Sequence, residues 1–347
     1  MAGGFSNQMK IELGKIIINY RFLIILIIIF LIASVIIASY LLVDQQFNWQ
    51  SQINHQANPR THRLLDGRLV PTEKSALLPI GVMLENHIDS RPIAGLESAS
   101  IIYESIVEGD ITRFLAIFDS QTKAARIGPV RSVRPFFIEL TEEWQAVLFH
   151  AGGSSDAMYK LTYSPVYNIN EISADGIYFW RDPKRNEPHN LFTSADLIRR
   201  AITAKKIETR ADFSPWQFKR DEATSTNIVS PVKVDFASNP EYQVEYQYNP
   251  NTNDYTRYLA GKVHKTESGI ILKAKNVVIQ HVDYKIIDSY GRLEVDVKSG
   301  GVAEIYQDGQ KIEGDWKKTG GRTRFYNQAN EEVKFNSGTI WIELVFN

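Results

Sequence analysis

Apolar and polar positions along the chain follow three regimes. Residues 22–43, FLIILIIIFLIASVIIASYLLV, are twenty-two consecutive uncharged residues between Arg21 and Asp44. As a helix rising 1.5 Å per residue, such a run covers roughly 30 Å, the thickness of bilayer hydrocarbon. No polar stripe interrupts it, as one would on a core helix of a soluble protein. Secretory signal peptides have a shorter apolar stretch of about 7–15 residues and a small-residue cleavage site. Ala33-Ser34 and Ala38-Ser39 are only weak versions of that site. The reading is therefore a short segment over 1–20 and an uncleaved transmembrane anchor over 21–43. From 44 to 76 the periodicity is lost in a Gln/Asn-rich stretch with Asp66-Gly67 and Pro71 as turn signals. It reads as a linker, mostly extended, with a short helix near the membrane.

Between 77 and 212 short apolar runs alternate with helical patterns. LLPIGVMLEN, ASIIYESIVEG, ITRFLAIFDS and AVLFHAG predict strands; Pro135–Trp144 predicts a helix. Two further helices start at Ser154 or Ser155 and at Thr193 or Ser194, residue types that cap N-termini. Strands alternating with helices imply a mixed-sheet α/β domain. A polar connector over 213–230 leads into 231–347, where VKVDF, YQVEYQY, YTRYLAG, KNVVIQHV, RLEVDV, GVAEIYQDG, RTRFYN and TIWIELVF alternate with period two. Strands at this spacing predict a β-rich domain of barrel or sandwich type. Asp308-Gly309 is its clearest hairpin signal. Tyr242, Tyr246 and Tyr248 share even spacing, as a sugar-binding stripe would, although cross-strand packing accounts for them more simply.

Charge narrows the partners. The formal net charge is −1; residues 1–43 carry Lys10, Lys15 and Arg21 against Glu12, a net of +2 that leaves −3 for the rest. Without a basic field to release counterions, a nucleic-acid partner is excluded. The same positive residues place the N-terminus on the cytoplasmic side and the folded domains outside the cytoplasm. The chain contains no cysteine, which excludes disulfides, thiolate metal sites and a cysteine nucleophile. GxGxxG, Walker and GxSxG motifs are absent.

Candidate chemistry concentrates in 80–134. Glu85, Glu104, Glu108 and His87 are the candidate catalytic groups, since two carboxylates can share acid and base roles and His titrates near neutrality; ion pairing with nearby arginines is the competing reading. Asn86, Arg91, Arg113, Arg126, Arg131 and Arg134 are candidate ligand-binding groups, because guanidinium recognises carboxylate and phosphate through paired donors. A third group, Arg181, Arg185, His189 and Asn190, sits on a Pro-rich loop. His87, His150, His189 and Asp156 could gather around a metal, but no HxH or HExxH spacing supports it, so neither metal nor cofactor is expected.

The runs ENHIDSRPIAGLESASIIYESIVEGDITRFLAIF, RIGPVRSVRPFFIEL, FHAGGS and FWRDPKRNEPHNLFTS, followed by AKNVVIQHV, GGVAEIYQDGQKIEGDWKK and SGTIWIELV, resemble the bacterial YerB family, also called DUF3048. The resemblance covers most of 77–212 and the chain from about 231 onward. It implies an exported, membrane-attached protein with N- and C-terminal YerB domains, and implies no reaction. Family members attached as lipoproteins need a Cys; here an apolar helix stands in its place. The sequence thus predicts an α+β protein: a transmembrane helix, a mixed α/β domain and a β-rich domain, tethered by one span to the cell membrane. The expected role is binding or scaffolding at the envelope, with a polar Glu/Arg/His pocket for an anionic polymer or a protein partner. The alternative is a hydrolase of a glycan or phosphodiester.

Overall fold

The computed structural model describes residues 4–56, 59–236 and 239–347, with side chains described outside 4–18 and 47–56. The chain separates into two units, Met1–Pro59 and Arg60–Asn347. The first holds one helix, α1 (Gly4–Gln56). Within it the most apolar eighteen-residue window of Asn19–Gln46 has a mean hydropathy of 3.3, and none of that window is buried. By length and composition this stretch can cross a membrane, rising about 42 Å at 1.5 Å per residue.

The second unit is built on a ten-stranded sheet. In chain order its strands are β1 (Pro79–Glu85), β2 (Ile101–Ile106), β3 (Thr112–Asp119), β4 (Val147–His150), β5 (Asn168–Asn170), β6 (Asn276–Val282), β7 (Gly301–Gln307), β8 (Gln310–Thr319), β9 (Arg322–Asn327) and β10 (Ile340–Phe346). Across the sheet they run β9-β8-β7-β6-β10-β2-β3-β1-β4-β5. The last strand is the join: β10 pairs in parallel with β6 on one side and with β2 on the other. Residues that sequence patterning divides between 77–212 and 231–347 therefore share one sheet. Strands β1, β2 and nearly all of β3 are buried at every position, which is why their sequences read as continuous apolar runs instead of alternating ones.

Each face of the sheet's central strands is covered. On one, Phe136, Phe137, Ile138 and Leu140 of α2 (Pro135–Glu143) and Ala157 and Leu161 of α3 (Ser155–Tyr163) pack with Met83, Tyr103 and Leu115. Proline opens α2 where its missing N–H costs nothing, and Ser154 caps α3 by accepting from the Ala157 N–H at 3.3 Å. On the other face lie α4 (Ala195–Ala204), capped by Ser194, and a five-stranded sheet that includes Val232–Val234, Val244–Asn249 and Asp254–Leu259. Ile198, Ala201, Val244, Tyr246 and Tyr255 there pack with Val82, Leu84, Phe114 and Trp341. The architecture is α+β with a β-rich C-terminal part, whose strands are divided between the two sheets. Tyr242, Tyr246 and Tyr248 are all buried, so the tyrosine stripe is core and offers no surface to a sugar.

Two sequence signals resolve in detail. Asp308 and Gly309, at φ 56° and 78°, turn β7 into β8 as a two-residue hairpin with both central residues left-handed. A Cβ on Gly309 would lie 2.6 Å from the Tyr248 ring, so packing as well as φ requires glycine there. The expected linker over 44–76 is shorter in the structure. Residues 60–76 belong to the folded unit: Leu65 enters the core, and fully buried Asp66 accepts from Arg68 at 2.7 Å and Ser100 at 2.8 Å and pairs with Arg63. This segment is held by ion pairs more than by apolar area, so its hydropathy has no strand-like pattern.

The two sheets are bonded through a buried charge network. Arg257, on the smaller sheet, pairs with Glu104 of β2; both side chains are fully buried. Glu104 also accepts from Thr112 at 2.6 Å and Asn86 at 3.1 Å. Arg257 Nε donates to the Tyr246 hydroxyl at 3.1 Å, and Tyr246 in turn donates to Glu343 of β10. Burial alone would favour loss of the Arg257 proton, but Glu104 and Tyr246 outweigh it and hold its pKa above the ordinary guanidinium value. Glu343 goes the other way. Burial, then the charge of Glu104 directly opposite it in the ladder, push its pKa well above the usual carboxylate range.

Opposite outcomes follow for two chemically identical substitutions, measured by denaturant unfolding. Glu104→Gln leaves Arg257 as an unpaired buried cation and costs about 3–5 kcal/mol. Glu343→Gln replaces a carboxyl that is already protonated and is near neutral or stabilising at pH 7. Because the folded pKa of Glu343 is raised, native protein holds a proton that unfolded protein releases above about pH 4.5. Its contribution is complete below that pH and is lost as pH rises toward the folded pKa. The advantage of Glu343→Gln over wild type therefore grows from pH 5 to 7.5; an advantage that shrinks over this range contradicts the assignment.

Candidate functional site

Glu85 ends β1, and three neighbouring segments converge on it. Opposite it in the ladder is Arg113 of β3. Along its other side the segment 129–131 is docked by the Glu85 N–H to Pro129 carbonyl bond at 3.0 Å and the Arg131 N–H to Met83 carbonyl bond at 3.0 Å. That segment passes the register on, since the Val130 N–H donates to the Leu191 carbonyl at 2.7 Å. Leu191–Phe192 pairs with Trp180–Arg181, so the Pro-rich loop between them is the tip of a hairpin, and His189 stands at its end. Gly128 allows this close approach: a Cβ there would lie 2.7 Å from the Leu191 carbonyl oxygen.

The resulting cluster is polar and largely shielded. Glu85 is 3% exposed; one of its oxygens meets Arg131 Nε at 3.1 Å and the other accepts from His189 Nδ1 at 3.0 Å. The His189 ring stacks on His87, with centroids 4.8 Å apart and planes 16° apart. His87 caps a short turn, its Nδ1 accepting from the Asp89 N–H at 3.2 Å. Arg113 is buried. Its guanidinium donates to the Ser132 carbonyl at 2.7 Å and the Ser132 hydroxyl at 3.2 Å, and to no carboxylate among the described residues. Burial, and then the charges of Arg134 and Arg131, pull its pKa down to about 9. Beside it Arg134 grips Glu108 through two bonds, at 2.5 and 2.7 Å. Burial tends to raise the Glu108 pKa, but those bonds and the Arg134 charge prevail and lower it.

Of the residues singled out in the sequence, Glu85, His87, Arg113, Arg131 and His189 come together, with Arg134 and Glu108 next to Arg113. Glu104 does not join them. It pairs in the ladder with Phe114, the neighbour of Arg113 on β3, so Glu85 and Glu104 leave opposite faces of the sheet. Asn86 faces the Glu104 side and is buried with it, donating to Thr112 at 2.7 Å. Arg91 clasps Asn86 at 3.2 Å and lies over the Tyr242 ring. Arg126, Arg181, Arg185 and Asn190 fasten loops. Arg126 pairs with Asp182 at 2.5 Å and Glu267 at 2.7 Å, and its guanidinium sits 3.5 Å from the Phe192 ring centre. Arg185 donates to the Ser90 and Pro92 carbonyls at 2.7 and 2.8 Å, while Arg181 donates to Asn190 at 3.0 Å.

His150 and Asp156 lie apart from the cluster. His150 is buried between the Gly152 carbonyl and Asn168, at 2.7 and 3.1 Å. Asp156 meets Arg292 at 2.9 Å on a separate cleft of about 680 Å³ between α2, α3 and the Tyr284–Val295 hairpin, which contains none of the other candidates. Sequence reading passed over Asp89, Arg257 and Glu343. Arg257 did leave a signal: in DYTRYL it occupies the same alternate positions as Tyr255 and Leu259, the buried face of the strand. Asp89 lies two residues from His87 and has no distinguishing pattern of its own.

Comparison with known proteins agrees with the fold. Residues 65–208 match the family model described as "Protein of unknown function (DUF3048) N-terminal domain", and residues 232–342 match the corresponding C-terminal domain. YerB of Bacillus subtilis strain 168, a protein named as a candidate lipoprotein, is 35% identical over 269 residues, 77% of this chain and 81% of its own length. The crystal structure of YerB from Bacillus subtilis superposes with a TM-score of 0.75 at 33% identity, covering 82% of this chain and 96% of that one. The apolar helix α1 and the lipoprotein name of this relative both associate the protein with a membrane. With both domain models matched in order and the fold shared, the chain belongs to the DUF3048 family.

Proposed function

We propose that this protein is a single-pass, envelope-facing binding protein whose folded unit holds an anionic ligand at Arg113, Arg131 and Arg134. The observation that carries this reading is Arg113. Arg113 is a buried guanidinium with neutral oxygen acceptors, and the three arginines face only Glu85 and Glu108, so the cluster holds one positive charge in excess that an anion would balance. Planar paired donors favour carboxylate, phosphate or phosphodiester groups, as in the acidic polymers of a cell envelope. Catalysis draws less support. Glu85 and Glu104 leave opposite sheet faces, and Glu108 is clasped by Arg134, so these three candidate carboxylates supply no free pair facing one space.

The orientation rests on Lys10, Lys15 and Arg21 before the apolar span, which favour a cytoplasmic N-terminus and a folded unit outside. Because the chain has no cysteine, single thiols report it directly. In intact cells a membrane-impermeant maleimide labels Ser289→Cys and spares Ser6→Cys until the membrane is opened. The reverse pattern inverts the proposed topology.

Ligand binding is read from thermal unfolding of the full chain in detergent with inorganic phosphate, pyrophosphate and glycerol-phosphate oligomers. Binding to the native state raises Tm with concentration, and at 100 times Kd it adds about 2.7 kcal/mol. Arg113→Met removes a buried charge held among like charges, so it folds at least as well as wild type and loses the ligand-dependent shift. If the variant keeps the whole shift, or if none of the anions moves wild type, the anion reading fails. Disappearance of a bound oligomer into shorter products would revive the hydrolase reading.

A further inference from the structure

Three side chains that the anion reading leaves unused, His87, Asp89 and His189, each offer one ligand atom, and the three atoms lie within 4.8 Å of one another. We propose that they bind a divalent transition metal of the zinc class, with Glu85 positioning His189.

The chemistry of the donor set selects the metal. Two imidazoles and one carboxylate suit Zn²⁺, Co²⁺ or Ni²⁺, whereas Ca²⁺ and Mg²⁺ require mostly oxygen. Ligand bonds of about 2.0–2.2 Å around a tetrahedral ion place the donor atoms roughly 3.3 Å apart. His87 Nδ1 and Asp89 Oδ2 are already 3.6 Å apart. The single lone pair of that nitrogen accepts the Asp89 backbone N–H at 3.2 Å, a bond that an ion at Nδ1 replaces. His87 is partly exposed and Asp89 exposed, so both side chains are free to close around an ion.

The third ligand carries the stronger argument. His189 Nδ1 faces a Glu85 oxygen at 3.0 Å; a carboxylate accepts, so Nδ1 holds a hydrogen and Nε2 is the nitrogen left to ligate a metal. A carboxylate behind a ligating histidine is how metal sites fix both tautomer and ring orientation. Glu85 is itself immobile: it is buried, it ends a central strand, and Arg131 holds its other oxygen. The two rings are stacked with planes 16° apart, so binding one ion tilts the partly exposed His87 ring until the in-plane lone pairs converge. Three protein ligands leave a fourth position for water or an anion oxygen, the arrangement of open zinc sites. Glu85 is shared with the arginine cluster, but the ligands are not, so metal and anion binding succeed or fail separately.

The test uses the untagged full chain in detergent, stripped with chelator and titrated with Co²⁺ by visible absorption and with Zn²⁺ by calorimetry. One equivalent saturates wild type, and Co²⁺ develops d–d bands of a four- or five-coordinate site. Asp89→Asn and His189→Ala each lose the stoichiometric step, and the double variant His87→Ala, His189→Ala defines the background from the remaining histidines. Glu85→Gln keeps all three ligands and binds about 10- to 100-fold more weakly, which a merely structural role for Glu85 would not produce. Melting curves in chelator check the fold; Asp89 is exposed, so Asp89→Asn decides the matter even if a histidine variant unfolds. Uptake by wild type no greater than by the double variant overturns the proposal, as does full-strength binding by Asp89→Asn.

Discussion

The ion pair between Glu104 and Arg257 is the constraint on which the rest of the molecule depends. Both groups are withdrawn from water, and each is tolerable only because the other is present. Glu104 belongs to the sheet strand β2 and Arg257 to the smaller sheet packed over it, so the pair fixes one sheet against the other. Apolar packing between two sheets is non-directional and permits sliding. A buried bond between two fixed charges, extended through Tyr246 to Glu343 and through Asn86 to Thr112, permits one register. Asn86 and Glu85 are consecutive, so the same network that locks Asn86 on one face holds the end of β1 in place and presents Glu85 on the other.

This division of faces organises the chemistry. Alternation along β1, β2 and β3 sends Asn86 and Glu104 into the structural network, and Glu85 and Arg113 into the candidate site. On the structural side Glu104 is answered by Arg257, Thr112 and Asn86. The site side is left out of balance: Arg113 donates to no carboxylate among the described residues, and His87 stacks on His189 beside Glu85. Buried polar groups without full compensation are costly, and proteins retain them where a ligand completes them. The loops around the site are, by contrast, heavily fastened, with Arg126 and Arg185 both reaching Glu267. A rigid frame around an uncompensated centre is the arrangement that preorganisation for binding requires.

Much of the architecture was legible in the residues themselves. The apolar span, the starts of α3 and α4 to within one residue of their caps, Pro135 at the start of α2, the Asp308-Gly309 hairpin and the strands of both halves follow from local physics: periodicity, capping and turn geometry act between residues a few positions apart. The assembly of those strands did not follow. Nothing local in β10 says that it pairs with β2, some 240 positions earlier, because the partner of a buried parallel strand is chosen by long-range closure of the sheet.

The same distinction separates the site residues. The sequence by itself determined that Glu, Arg and His crowd the ends of short strands between Ile80 and Arg134, and that the Pro-rich loop bears His189. Only the tertiary structure decided which of them meet. Strand alternation turned Glu104 away from Glu85, the docked segment 129–131 brought Arg131 to Glu85, and the hairpin tip carried His189 across to stack on His87. Residue type limits the chemistry a side chain can perform. Distance and desolvation decide whether it performs any, and both are properties of the folded chain, set by contacts between residues far apart in sequence.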